Sequence, residues 1–228
     1  MRSPQPADPA GFLAPDGENI ASVLFRVFRQ DQLARERIND YMHAILPDLV
    51  EVEALEFGGS KALTLRLRGK GGGSTSVFDA AQMSDGTLRA LGVLAAIFQR
   101  APDSGRPLLL IGFEEPETAL HPAATAVLRD ALTDAAEQSQ VIVTTQSADL
   151  LDNWSISDSS LLAVESRQGV SHIGPLSEAD RSILPAERLV VRQANSGEWS
   201  PVRQRVAGRY RVRGLGLRQA PGRWDRDG

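Results

Sequence analysis

The segment LLLIGFEEPETALHP, residues 108–122, constrains the fold of this chain more than any other stretch. It begins with a nearly continuous apolar run, which is typical of a strand buried on both faces of a parallel sheet. Three carboxylates, Glu114, Glu115 and Glu117, follow directly. Adjacent carboxylates are costly without a partner, and ligands that are all oxygen favour Mg²⁺ over zinc. The segment therefore predicts a buried strand with a magnesium site at its end, and an ordinary acidic loop is the alternative.

Hydrophobic periodicity predicts alternating helices and strands along the rest of the chain. The pattern indicates an N-terminal pair of helices with Asp31 as the cap between them, followed by a hairpin that turns at Gly58-Gly59. A helix–strand–helix–strand succession then predicts an α/β fold with a mostly parallel sheet flanked by helices. The predicted elements are helices at about 18–29, 32–46 and 121–137, a buried helix after Met83, strands at 108–113 and 140–145, and a closing hairpin at 161–173.

Composition divides the chain into an extended lead-in at 1–17, a main domain at 18–193 and a tail at 194–228. The tail is rich in Arg and Gly, and we predict that it is poorly ordered. The chain has no cysteine, which excludes disulfides and thiolate metal sites. Neither a signal peptide nor a membrane-spanning apolar stretch is evident, so we expect a cytoplasmic protein that does not enter the membrane.

A second motif, MSDGTLR at residues 83–89, opens the predicted buried helix. Ser84 and Gly86 place a hydroxyl group and unshielded backbone N–H groups at a helix N-terminus, which suits a phosphate group. Asp85 carries a charge that opposes a phosphate. The alternative is a plain helix cap.

A third motif, VIVTTQS at residues 141–147, is a predicted strand that ends in polar residues. These residues lie beside Glu114 and Glu115 if the two predicted strands are neighbours, because parallel strands end at the same edge of a sheet. The alternative is an ordinary turn between a strand and a helix.

Taken together, the order and spacing of MSDGTLR, LLLIGFEEPETALHP and VIVTTQS resemble the C-terminal lobe of an ABC-type ATPase head. The similarity is to the SMC/RecF-like branch, which includes predicted ATPases with an AAA-type core related to RecF and to the ATPase part of overcoming-lysogenization-defect proteins. It covers about residues 15–185. The resemblance implies a partial P-loop NTPase fold that binds Mg²⁺ and ATP.

The resemblance also implies a role for each motif. Ser84, Asp85 and Gly86 match the signature motif, which contacts the ATP held by the opposite subunit. Glu114 would hold Mg²⁺, and Glu115 would polarise the attacking water. Thr118 and His121 match the D-loop, which lines a dimer interface. Gln146 stands where the family usually has a switch histidine, and glutamine can donate a hydrogen bond but cannot shuttle a proton.

The chain departs from the family in having no G-x-x-x-x-G-K-[ST] sequence, the Walker A loop that cradles phosphates. Its two lysines, Lys61 and Lys70, do not fit that pattern. One hypothesis is therefore a C-terminal ATPase lobe, which is expected to work as a head-to-head homodimer or with a complementing N-terminal lobe. The other is a module that binds a partner subunit or nucleic acid without ATP turnover.

Overall fold

The computed structural model describes residues 5–6, 11–69, 73–151, 160–175, 188–192, 204–206 and 209–211. The chain divides into two compact units, Met1–Asn195 and Ser196–Gly228. The α/β fold class predicted from the sequence is confirmed in the first unit. Its helices are α1 (Ile20–Gln30), α2 (Gln32–Ile45), α3 (Asp85–Phe98), α4 (Pro122–Ala135) and the short α5 (Ala148–Leu151), and its strands are β1 (Gln5–Pro6), β2 (Leu49–Phe57), β3 (Ser60–Arg68), β4 (Thr75–Asp79), β5 (Leu110–Glu114), β6 (Gln140–Thr145), β7 (Leu161–Arg167), β8 (Val170–Pro175) and β9 (Arg188–Arg192).

The predicted helix pair and hairpin are both present. The Asp31 side chain accepts a hydrogen bond from the backbone N–H of Ala34, so it caps α2 as expected. Strands β2 and β3 pair in antiparallel register through a turn at Gly58 and Gly59, whose φ angles are +55° and +81°. Glycine adopts these positive φ angles without steric strain, and they are typical of a tight hairpin turn.

The first sheet packs its inner face on the helices. Strands β1, β2 and β4 all pair with β3, and the hydrophobic core of this half joins β2 and β3 to α1, α2 and α3. Of the predicted lead-in, residues 1–4 and 7–10 lie outside the described part. The described part contacts α1 and α3: Asn19 donates to the Phe12 carbonyl at 2.7 Å, and Leu13 donates to the Gln99 side chain at 2.9 Å.

The second sheet carries the predicted central strand and has the order β5-β6-β9-β7-β8. Strand β5 pairs with β6 in parallel, while β6 with β9, β9 with β7 and β7 with β8 are antiparallel. Side chains of β6, including Val141 and Val143, form a second core with α3, α4 and α5. The closing hairpin is confirmed as β7 and β8.

The prediction that the central strand is buried on both faces is wrong. Strand β5 lies at one end of the described sheet and pairs with β6 alone. Ile111 on one face is only 6% exposed, but Leu110 on the other is 46% exposed, and Leu109 just before the strand is 90% exposed. Helices of the described part therefore cover one face of β5. The described residues leave the other face, which carries Leu110, exposed to solvent.

A polar cluster ties α2 to α4. Arg37 and Tyr41 of α2 both donate hydrogen bonds to the Asp134 carboxylate. Partial burial, and next the hydrogen bond to Asp134, raise the pKa of Tyr41 to about 12. The protonated phenol therefore makes its full contribution to the stability of the fold at pH values below its ordinary pKa. This contribution is lost as the pH rises through about 12.

The second unit is described only at β10 (Gln204–Val206) and β11 (Arg209–Arg211), which pair in antiparallel register. No strand was predicted here, because Arg and Gly dominate the segment and the β-forming residues Val206 and Tyr210 are isolated among them. The rest of the predicted tail lies outside the described residues. Within the described part, no helix is long and apolar enough to cross a membrane.

Truncation of Leu91 should destabilise the first unit far more than truncation of Leu109. Leu91 is 0% exposed in the core between α3 and its neighbours, whereas Leu109 is 90% exposed. Leu91→Ala should lower the free energy of unfolding by about 2–5 kcal/mol through lost burial and a cavity. Leu109→Ala should change it by less than about 0.5 kcal/mol. Urea denaturation of both variants checks this, and equal losses would contradict the assigned core.

Candidate functional site

The three sequence motifs meet at the carboxyl ends of β5 and β6. Glu114 is the last residue of β5, and the next backbone N–H, that of Glu115, donates to the Thr144 carbonyl at 2.9 Å. This bond continues the parallel ladder past the end of the strand. The acidic loop 115–121 and the polar end of β6 therefore leave the sheet side by side, as the sequence analysis expected if the strands were neighbours.

The Glu115 carboxylate lies against Gln146. Gln146 donates from Nε2 to Glu115 Oε1 at 3.0 Å, and the Thr118 hydroxyl donates to Oε2 at 3.4 Å. Each carboxylate oxygen can accept more than one hydrogen bond, so both oxygens keep capacity for a further donor such as water. The structure thus brings together Glu115, Gln146 and Thr118, which the sequence analysis selected from two separate motifs.

The backbone of the acidic loop is strained. Glu115 has a φ of +41° and Ala119 a φ of +67°, although neither is glycine. Side chains other than glycine pay a steric penalty in this region, of about 1–3 kcal/mol for each residue. Such strain persists only where surrounding contacts determine the conformation.

Helix α3 supplies contacts of that kind. Arg89 Nη2 donates to the carbonyl of Glu115 at 2.7 Å and to that of Glu114 at 3.1 Å. At Gly86, an added Cβ would stand 2.5 Å from the Ala119 carbonyl oxygen, so the helix approaches the loop too closely for a side chain. No role for Arg89 was predicted from the sequence. Its position on the same helical face as Gly86 was a signal that could have found it.

The remaining nucleotide-binding candidates occupy helix ends. Ser84 is the N-cap of α3 and accepts a hydrogen bond from the Thr87 N–H at 3.1 Å. Asp85 follows in the first turn and is exposed. His121 is the N-cap of α4, and its Nδ1 accepts from the Ala123 N–H at 3.3 Å. The structure therefore gives Ser84 and His121 capping contacts.

Glu117 anchors the loop to the end of β6. The buried Thr145 hydroxyl donates to Glu117 Oε1 and accepts from the Ser147 N–H at 3.0 Å. Gln146 lies between Thr145 and Ser147, so the hydrogen bonds of the Thr145 hydroxyl fix the turn that carries Gln146. No contact between Glu117 and Thr145 was predicted, because nothing in the spacing shows that a loop glutamate reaches a threonine on another strand.

At this edge, Glu117 Oε2 and Thr144 Oγ1 are buried and have no hydrogen-bond partner among the described residues. Thr144 is the register partner of Glu114, and paired residues on adjacent strands project to the same face of a sheet. Carboxylate and hydroxyl oxygens fit a hard cation such as Mg²⁺ in kind. The described part contains no cluster of three or more His, Asp or Glu side chains placed to hold a metal by themselves.

Lys61 has a different environment from a phosphate-binding lysine. It is 7% exposed, forms an ion pair with Glu56 and lies 3.8 Å from the centre of the Phe25 ring. These contacts hold the lysine stem within the first sheet. Lys70 lies outside the described residues.

Removal of the Thr145 hydroxyl should destabilise the site. Thr145→Val keeps the shape but leaves Glu117 Oε1 and the Ser147 N–H without their partner, which should cost about 1–3 kcal/mol of unfolding free energy. Thr118→Val is the matched control: Thr118 is exposed and its hydrogen bond is long at 3.4 Å, so a loss under about 0.5 kcal/mol is expected. Chemical denaturation measures both, and a Thr145→Val variant as stable as the parent would remove the anchoring role.

Comparison with solved structures places the fold among SMC ATPase heads. A structure described as "Structural biochemistry of ATP-driven dimerization and DNA stimulated activation of SMC ATPases" matches with a TM-score of 0.50 and 21% identity over 71% of this chain and 92% of that one. A Smc head bound to the C-winged helix domain of ScpA matches with 0.52 and 17% identity, over 78% of this chain and 54% of that one. A Smc head with coiled coil and joint from Pyrococcus yayanosii matches with 0.52 and 18% identity, over 68% and 29%.

At these identities the similarity establishes the fold alone, and this chain spans about half or less of the second and third solved chains. None of the curated proteins matches this chain. A family model described as "AAA domain, putative AbiEii toxin, Type IV TA system" matches residues 7–152, which include all the motifs at the site. The chain belongs to this family of AAA-domain proteins.

Proposed function

We propose that this chain is the part of an SMC/RecF-like ATPase head that supplies the catalytic carboxylate and the signature segment. The observation that carries the proposal is the contact between Glu115 and Gln146 at 3.0 Å, formed where the MSDGTLR helix also meets the acidic loop. Phosphoryl transfer to water depends mainly on positioning and charge stabilisation. A carboxylate that is oriented by neutral donors, and has spare acceptor capacity, fits the task of orienting water.

In this proposal Glu115 is the general base that orients and polarises the attacking water. Gln146 and Thr118 fix its carboxylate by donating to opposite oxygens. Gln146 also offers an amide that can donate to a phosphate oxygen, although it cannot carry a proton in the way a histidine does. Hydrolysis would then rely on Glu115 alone for proton transfer.

Glu114 and Thr144 are the residues that would hold Mg²⁺. They stand in register at the end of the parallel pair, and the buried Thr144 hydroxyl has no hydrogen-bond partner in the part of the chain that the structure describes. Bound Mg²⁺ would neutralise charge on the phosphate oxygens of ATP. Glu117 is not included, since its Oε1 accepts from Thr145, and the side chain of Thr145 projects to the face of β6 opposite to that of Thr144.

Phosphate cradling would come from a complementing lobe. The sequence contains no Walker A loop, and Lys61 is held in the first sheet. The described residues leave one face and one edge of β5 uncovered, with Leu109 and Leu110 exposed, and this apolar surface beside the carboxylates is where such a lobe can pack. Ser84, Asp85 and Gly86 would contact ATP across a head-to-head dimer, and a solved relative is described with ATP-driven dimerization.

The chain on its own should bind Mg-ATP poorly, because its sequence lacks the Walker A loop. The backbone N–H groups and the lysine of that loop normally hold the phosphates. Isothermal titration calorimetry should detect no binding in the micromolar range. A clear micromolar dissociation constant would show that the chain cradles phosphates by other residues.

In a hydrolysis-competent assembly that contains this chain, Glu115→Gln should lower ATP turnover by about 10²–10⁴-fold, the range typical of losing a positioned base. It should keep Mg-ATP binding and trap an ATP-bound dimer, because dissociation would await hydrolysis. Steady-state ATPase assays and size-exclusion chromatography with ATP measure these effects. Turnover at the parental rate would show that Glu115 is not the catalytic carboxylate.

Two further substitutions of the same kind serve as controls. Glu114→Gln should weaken metal-dependent nucleotide binding itself. Glu117→Gln should change binding and turnover little, since its amide oxygen can still accept the hydrogen bond from Thr145. If Glu117→Gln alone lowered turnover while Glu115→Gln did not, the two roles would have to be exchanged.

A further inference from the structure

We infer that Arg89 is a positioning residue for Glu115, and this inference rests on the proposed function. Arg89 donates to backbone atoms of the acidic loop: its Nη2 bonds the carbonyls of Glu115 and Glu114 at 2.7 Å and 3.1 Å. A charged donor makes a stronger hydrogen bond to a carbonyl than a neutral one does. The arrangement is suited to fixing the loop backbone, and from it the direction of the Glu115 side chain.

The loop needs such a restraint because Glu115 has an unfavourable backbone conformation, with φ at +41°. Its N–H is held by the Thr144 carbonyl at 2.9 Å, and its own carbonyl accepts from the Thr118 N–H at 3.1 Å as well as from Arg89. The peptide groups on both sides of the Glu115 Cα are therefore fixed from outside. Rotation of either peptide would swing the carboxylate away from Gln146.

Helix α3 acts on the loop at a second point. The close approach of Gly86 to the Ala119 carbonyl holds the other strained residue, one helical turn from Arg89. Two contacts from one helix, at Glu115 and at Ala119 of the acidic loop, make the loop conformation depend on where α3 lies. In the proposed dimer, Ser84, Asp85 and Gly86 face the neighbouring ATP, so Arg89 would connect that contact to the base of the same subunit.

A merely structural role for Arg89, such as fastening α3 to the sheet, would affect stability without changing the Glu115–Gln146 contact. The two roles are separated by a signal that reports this contact directly. The side-chain amide of Gln146 gives its own pair of resonances in a ¹H–¹⁵N spectrum of the full chain, and these depend on donation to Glu115 Oε1. Exchange of the Thr118 N–H reports the turn that Glu115 closes.

The test compares Arg89→Met with Arg106→Met, which removes the same charge from an exposed residue in the loop before β5. Arg89→Met should move the Gln146 amide resonances towards those of a free glutamine side chain. It should also speed exchange of the Thr118 N–H about tenfold, as expected when a charged hydrogen bond is lost. Arg106→Met should leave both signals unchanged.

If Arg89→Met does not fold, Arg89→Lys tests the positioning role in its place. Lysine keeps the charge but replaces the planar guanidinium with a single ammonium group. It should shift the Gln146 signals in the same direction by a smaller amount. Unchanged Gln146 resonances and unchanged Thr118 exchange in the folded Arg89 variants would overturn the inference. These spectra need no nucleotide, so they test the Arg89 contact even if the chain proves to have no part in ATP hydrolysis.

A kinetic measurement then tests the consequence for the proposed reaction. In a hydrolysis-competent assembly, Arg89→Lys should lower kcat about tenfold while KM for ATP stays within about twofold, since a misplaced base affects the chemical step and not binding. A rise in KM with unchanged kcat would mean that Arg89 contacts the nucleotide, which overturns the positioning role. Absence of turnover in every assembly with the parental chain would instead count against the proposed function.

Discussion

The parallel pairing of β5 with β6 is the interaction on which the candidate site depends. Parallel strands end at the same edge of a sheet, so the acidic loop and the TTQS turn emerge together. Val141 and Val143 set this register by filling the core under α4. A slip by one residue would turn these side chains to the bare face and part Glu115 from Gln146. Core packing some distance from the loop therefore determines whether the site forms.

The carboxylates Glu115 and Glu117 at this edge accept their hydrogen bonds from neutral donors. Glu115 accepts from Gln146 and Thr118, Glu117 accepts from Thr145, and Arg89 donates to carbonyls instead of carboxylates. In the described part of the chain, the ion pairs lie elsewhere: within the first sheet, between this sheet and α2, between α2 and α4, and between Asp31 and Arg100. Neutral donors orient a carboxylate without cancelling its charge, which leaves the edge able to attract a cation. An arginine paired with Glu115 would instead have offset the charge of its carboxylate.

The sequence was sufficient to predict helices α1 to α4, the two hairpins and strands β5 and β6, because these follow from local periodicity. Strands β1, β4, β9, β10 and β11 were not predicted, and the motifs meet as expected if β5 and β6 were neighbours. The helices, the Gly58-Gly59 turn and the Asp31 cap each depend on residues close in sequence. The exposed face of β5 could not be predicted, since an apolar run shows that burial is favourable but does not show which part of the structure covers each face. The anchoring contacts of Arg89 and Glu117 could not be predicted for a related reason. They join residues that are far apart along the chain, and no sequence periodicity indicates that such residues meet.

The bare face of β5 links the stability of the sheet to the proposed chemistry. Leu110 and Gly112 lie on this face with Glu114, while Ile111 and Phe113 face the helices. Parallel strands with apolar residues on both faces are normally covered on both sides, so a further layer packed on Leu110 would remove apolar surface from water. Thr144 projects to the same face as Glu114, because the two residues are paired in register. A lobe that buries Leu110 would therefore also stand beside the oxygens proposed to hold Mg²⁺, so that one packing event could complete the sheet and close the nucleotide site.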